Sequence, residues 1–161
     1  MDINEFDYEN LKKISEKNDL ETALKNSKDI KVQEMKIEHL KSDFVKDRRQ
    51  ISDNEKELAT IKENIQKNFN NQYDQLDIAI KKIEKTKRSW KDAEKELNNA
   101  RLKYEKGLLS KNALDNIKIK NLELINQGKD AEAQLQEEFL KYELIIAGYQ
   151  GLANDALLTS K

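Results

Sequence analysis

A chain of 161 residues with no proline, and with no glycine before Gly107, has few means of turning sharply. Tight turns draw on both residues, because glycine reaches positive φ without strain and proline presets a turn-compatible φ. With 38% charged and 37% hydrophobic residues, the composition suits a few long helices sharing a narrow apolar seam, not a thick mixed core. The apolar residues are also evenly spaced, which separates this chain from a disordered one of similar charge.

Several function classes lose ground on composition. The formal net charge of −1 gives no global field for nucleic acid or an anionic membrane. Cysteine is absent, so disulfides and thiol chemistry are excluded. The opening MDINEFDYEN is acidic and has no apolar run, so no signal peptide is expected there. The longest apolar run, Leu144 to Ala147, falls far short of the roughly 20 residues of a spanning helix, and no alternating segments of about 10 residues suggest barrel strands.

Read along the chain, Tyr8, Leu11 and Ile14 predict a short helix from about Asp7 to Lys17. Lys17-Asn18-Asp19 is expected to break it, with Asp19 capping a second short piece that ends at Asn26. Ser27 is then placed to cap a helix through Ile30, Ile37, Leu40 and Phe44 towards Gln50. The cluster Ile51-Ser52-Asp53-Asn54 predicts the next boundary, with Ser52 or Asp53 as cap.

The strongest periodicity follows. Leu58, Ile61, Ile65, Phe69, Tyr73, Leu76, Ile80, Ile83, Trp90, Ala93, Leu97, Ala100 and Tyr104 recur at about 3.5 residues if Lys87 fills the one gap. Sustained over roughly 50 residues, or about 75 Å, so narrow a stripe needs a partner helix. The partner pattern is Leu114, Ile117, Leu124, Ala131, Leu135, Phe139, Tyr142, Ile146 and Tyr149, with Asn121 and Gly128 as seam members. Gly148 and Gly151 are expected to end it, leaving NDALLTSK as a frayed tail.

Between the two lies KGLLS. Gly107 fits the left-handed position that closes a helix, Leu108 the following position with Leu102 as its apolar contact, and Ser110 the cap of the returning helix. The alternative is an unbroken helix through Gly107, at a cost of about 1 kcal/mol. In an antiparallel hairpin whose facing residue numbers sum to about 217, KKIEKTK (81–87) lies opposite Asp130, Glu132 and Glu137.

The stretch from Ala93 through Tyr104-Glu105-Lys106-Gly107-Leu108-Leu109-Ser110-Lys111-Asn112-Ala113-Leu114-Asp115 resembles the TolC-like outer membrane efflux family. That family carries A-x-x-x-Y-x-x-G-hydrophobic-x-S/T-x-x-D/A-L before each return helix. LETALKNSKDIKVQEMKIEHLKSD is similar to the A-L-x-N-N-P-x-L-x-x-A start of a family repeat, with Ser27 where proline is common. The resemblance spans about residues 20–149, one of two repeats; the charged FVKDRRQISDNEKE stands where the family carries a pair of β-strands. It implies an all-α fold in which a long antiparallel hairpin forms part of a helical barrel in the cell envelope. It also implies that the tip docks the hairpin of an adaptor (membrane fusion) protein. Carried over by position, the partner-binding set is Tyr104, Gly107, Leu108, Leu109, Ser110 and Asp115.

Other constellations favour plainer readings. His39, the only histidine, has Glu38 and Asp43 near it but no zinc set. Glu137-Glu138 and Glu94/Glu96 suit a solvated face, and no serine sits in a strained elbow or a Gly-rich phosphate loop. Neither an enzyme nor a cofactor is expected. The Lys81–Arg88 run reads as a solvated face, not a nucleic-acid site, and Trp90 as core or as a residue between protomers. The expected organisation is a helical segment at 1–26, a three-helix coiled-coil domain at 27–150 tipped at 106–111, and a tail at 151–161. Uncovered stripes favour a homo-oligomer. Two functions stay open: a TolC-like efflux component, or a structural coiled-coil module with no transport role.

Overall fold

The computed structural model describes residues 8–42 and 47–149, and over these the chain is helical, without a strand. A 3-10 turn at Asn10–Lys13 precedes α1 (Glu16–Asn26), α2 (Lys28–Ser42), α3 (Arg48–Glu105) and α4 (Lys111–Ile146). The chain divides into two units. One holds residues up to Gln75 together with those from Phe139 on, and the other is Leu76–Glu138.

Three helix boundaries show how local polar chemistry is decided by tertiary partners. The helix expected from about Asp7 to Lys17 is only the 3-10 turn, because Ile14 and Ser15 are extended. Asp19 is not a cap. It lies one turn inside α1, where its Oδ2 accepts the Ser15 N–H at 2.8 Å and the Tyr142 hydroxyl at 2.7 Å. Ser27 does cap α2, its Oγ accepting the Ile30 N–H at 3.3 Å. α3 begins earlier than expected, since Asp47 Oδ1 accepts the N–H groups of Arg49 (2.9 Å) and Gln50 (3.2 Å). Ser52, Asp53 and Asn54 are therefore interior to α3, not a boundary. Phe44, Gly151 and the tail lie outside the described residues.

In the first unit, Ala23, Ile30, Ile37, Ile65, Phe69, Tyr142 and Ile145 are buried together with Ser27 and Gln33. Gln33 is the polar hub between α2 and α3. Its amide donates to Asn54 O (3.1 Å), Asn54 Oδ1 (2.9 Å) and Glu57 Oε2 (3.0 Å), while Lys36 Nζ donates to its Oε1 (3.3 Å). A buried amide satisfied on both ends fixes register, because these bonds offset its desolvation whereas a shifted pairing would leave it unpaired. Lys41–Glu55 and Lys62–Glu34 set the same antiparallel pairing at the surface. At the other end, Asn26 Nδ2 donates to the orphan carbonyl of Ile146 at 2.8 Å, and Lys28 Nζ stands 5.1 Å from the Tyr149 ring centre.

Burial, and the carboxylate of Asp19 accepting its hydroxyl, push the Tyr142 phenol far above its ordinary pKa. The fold thus holds the neutral phenol. Its contribution is complete below the unfolded value of about 10 and is lost as pH rises beyond it. Tyr142→Phe should cost about 1–2 kcal/mol in urea melts at neutral pH, through the lost charge-assisted bond. Repeated above pH 10, the same melts should show a smaller gap, because the parent weakens with alkali more steeply than the variant. A gap that stays constant with pH would mean that the phenol does not titrate against the fold.

In the second unit, α3 and α4 run antiparallel around Leu76, Ala79, Ile83, Ala100, Leu114, Asn121, Ala131 and Leu135. Asn121 Nδ2 donates to Ala93 O, Lys82 Nζ to Gln134 Oε1, and Gly128 faces Thr86, so facing numbers sum to 214–216, close to the expected value of about 217. The seam also differs in membership. Thr86, not Lys87, fills the gap after Ile83; Ala79 is more buried than Ile80; and Trp90 is 46% exposed. A strict 3.5 repeat drifts around a straight helix, and these shifts of one position are that drift.

Candidate functional site

The α3–α4 turn is built entirely from local chemistry. The Leu108 N–H donates to Lys103 O (2.8 Å) and the Gly107 N–H to Tyr104 O (2.9 Å), the paired bonds of a Schellman ending. Gly107 has φ 72°, and a Cβ there would meet nothing within 4 Å. Conformation alone, not crowding, selects glycine at this position. The Ser110 Oγ accepts the Ala113 N–H at 3.2 Å and its carbonyl accepts the Leu114 N–H, so two of the first N–H groups of α4 are satisfied by Ser110. The turn is thus fixed from both sides by backbone hydrogen bonds.

This frame places the six residues of the expected partner set differently. Leu108 stands out at 74% exposed, and Tyr104 is 42% exposed. Gly107 and Ser110 are exposed and serve the turn itself. Leu109 is half-buried beside Ala100 and Ile117, on the hairpin's own seam. Asp115 is half-buried and pairs with Lys118 at 3.0 Å, one helical turn on. Leu102, the expected contact of Leu108, is itself 54% exposed, so most of both leucines faces solvent.

The turn also carries a charge feature that the net charge of −1 conceals. Residues 101–120 hold six lysines and arginines against two acids, a local surplus of +4. Lys118 is paired, whereas Arg101, Lys103, Lys106, Lys111 and Lys120 are exposed and form no ion pair among the described residues. Lys103 and Lys106 complement the C-terminal end of the α3 dipole. Lys111 opposes the dipole of α4, whose first turn has no acid, so helix stability does not account for it. A window of charge along the sequence would have exposed this cluster.

Chemically, the tip offers an exposed apolar residue with a surplus of cations along the adjoining helix ends. Among the described residues no three His, Cys, Asp or Glu side chains gather as a metal site would need, and no helix is long and apolar enough to cross a membrane. No protein-family model, curated protein or solved structure matches the chain.

Proposed function

We propose that this chain is a non-catalytic, TolC-like component of a helical export conduit in the cell envelope, and that it docks the hairpin of an adaptor (membrane fusion) protein through the α3–α4 tip. Leu108 carries the reading: a leucine three-quarters exposed at the apex of the turn, more than a contact with the half-exposed Leu102 accounts for. A rigid apolar anchor ringed by polar groups has the form of a binding hot spot. The family resemblance of Tyr104 through Asp115 supplies the partner class. The unpaired cations within residues 101–120 favour an acidic partner surface, so docking weakens as salt rises.

The chain has no cysteine, so Asn112→Cys introduces a single thiol beside the apex without removing the Ser110 cap. A short bifunctional crosslinker in cells of the source organism should then yield an adduct with a helical-hairpin protein. Leu108→Asp should reduce that adduct by at least about tenfold while leaving helicity unchanged. Because Leu109 belongs to the hairpin seam, Leu108 alone is the informative substitution.

The second reading is a structural coiled-coil module that associates through its sides. It is favoured by exposed Ile119, Leu122 and Leu140 on α4. Under that reading Leu108→Asp changes nothing, and only self-adducts form.

A further inference from the structure

We propose that a cavity in the second unit, between Trp90 on α3 and Gly128 on α4, binds a small apolar carboxylate of roughly ten non-hydrogen atoms. The cavity has a volume of about 220 Å³, and its apolar walls are Ile83, Trp90, Leu124 and Ile125. For scale, an engineered apolar cavity of about 150 Å³ takes up benzene.

Gly128 is the first observation. It lies in the interior of α4 with an ordinary helical backbone, and a Cβ there would meet only Thr86 Cγ2, at 3.8 Å. That is normal van der Waals contact, so neither conformation nor close approach requires glycine. Alanine would favour the helix by about 1 kcal/mol. What the missing side chain provides is room in the cavity. Trp90 is the second observation. The only tryptophan of the chain lines this space while 46% of its surface remains exposed, so its indole is an unfinished wall.

The polar lining identifies the occupant. Lys87 and Lys129 flank the cavity with one acid, Glu132, and Lys129 forms no ion pair among the described residues. A surplus of one positive charge beside an apolar recess suits a monoanion with an apolar body, and a carboxylate accepts from lysine directly. A second copy of this chain is a poorer occupant. A two-fold contact across this opening would bring two such surpluses of positive charge together.

The test titrates octanoate into the full chain and follows Trp90 emission, with octanol as the neutral control. A saturable blue shift is expected with octanoate, weaker with octanol, and octanoate affinity should fall about threefold in Lys129→Gln. Gly128→Leu should abolish the response. If that variant loses its helicity, Gly128→Ala takes its place: it should be folded, at least as stable as the parent, and weaker in binding. The proposal is overturned if octanoate leaves the emission unchanged, or if octanol matches octanoate. It is equally overturned if the shift survives in a folded Gly128→Leu variant, or if Gly128→Ala binds octanoate as tightly as the parent. Emission that responds to protein concentration but not to octanoate would also overturn it, and would assign the cavity to a second copy.

Discussion

Gly148→Ala should destabilise the protein by about 3 kcal/mol or more, the larger of two glycine effects that look alike in sequence. Gly148 closes α4 as Gly107 closes α3: its N–H donates to Ile145 O, and the Tyr149 N–H donates to Leu144 O. Both glycines have positive φ, 90° and 72°. Their surroundings differ. A Cβ at Gly148 would stand 2.6 Å from Asn26 O and 2.8 Å from Asn26 C, which are backbone atoms at the α1–α2 junction. Those atoms cannot swing aside as a side chain would, because Asn26 is held by its own bond to Ile146 O and Ser27 caps α2. The variant must therefore accept left-handed strain and also separate α4 from α1. Gly107→Ala carries the first cost alone, about 1–2 kcal/mol. Urea melts of the two variants should differ by at least about 1 kcal/mol. Equal losses would mean that the close approach of Gly148 to Asn26 is absent in solution.

What could be read from the sequence was the chemistry closed within a few residues. Gly107, Ser110 and the bonds between them involve no distant group, so KGLLS declares its turn in isolation. Ser27 is legible for the same reason. Asp19 and the Ile51–Asn54 cluster were not, because each contains residues able to cap a helix and the choice is made elsewhere. Tyr142, 123 positions away, takes the Asp19 carboxylate. Gln33 takes the carbonyl and side chain of Asn54, which suits a residue inside a helix. Of the two places read for Trp90, the core one fails, because a seam position predicts burial only where the opposite helix fills the space, and with no side chain at Gly128 the recess beside the indole stays open. At the tip, the turn geometry was legible, but the division of labour between its two leucines was not. Burial of Leu109 and exposure of Leu108 depend on where Ala100 and Ile117 lie across the hairpin.

Phe69→Ala should be the most damaging truncation in the first unit, at about 3–5 kcal/mol. The Phe69 ring is fully buried, with its centroid 5.6 Å from that of Tyr142 and 6.3 Å from that of Tyr73. Each such aromatic contact adds about 0.5–1.5 kcal/mol beyond its buried area. The loss also propagates by geometry. Phe69 supports the Tyr142 ring, Tyr142 donates to Asp19, and Asp19 holds the Ser15 N–H at the start of α1. Removing the ring leaves a cavity and also frees the side chain that fastens α1 to α4. Phe69→Leu keeps most of the volume and should cost about half as much. Amide hydrogen exchange separates the two effects. In Phe69→Ala, protection should fall first at Asp19 and its neighbours in α1, before the interior of α3. Uniform loss of protection along all four helices would mean that Phe69 contributes volume only, and that the path through Tyr142 and Asp19 does not hold α1 in place.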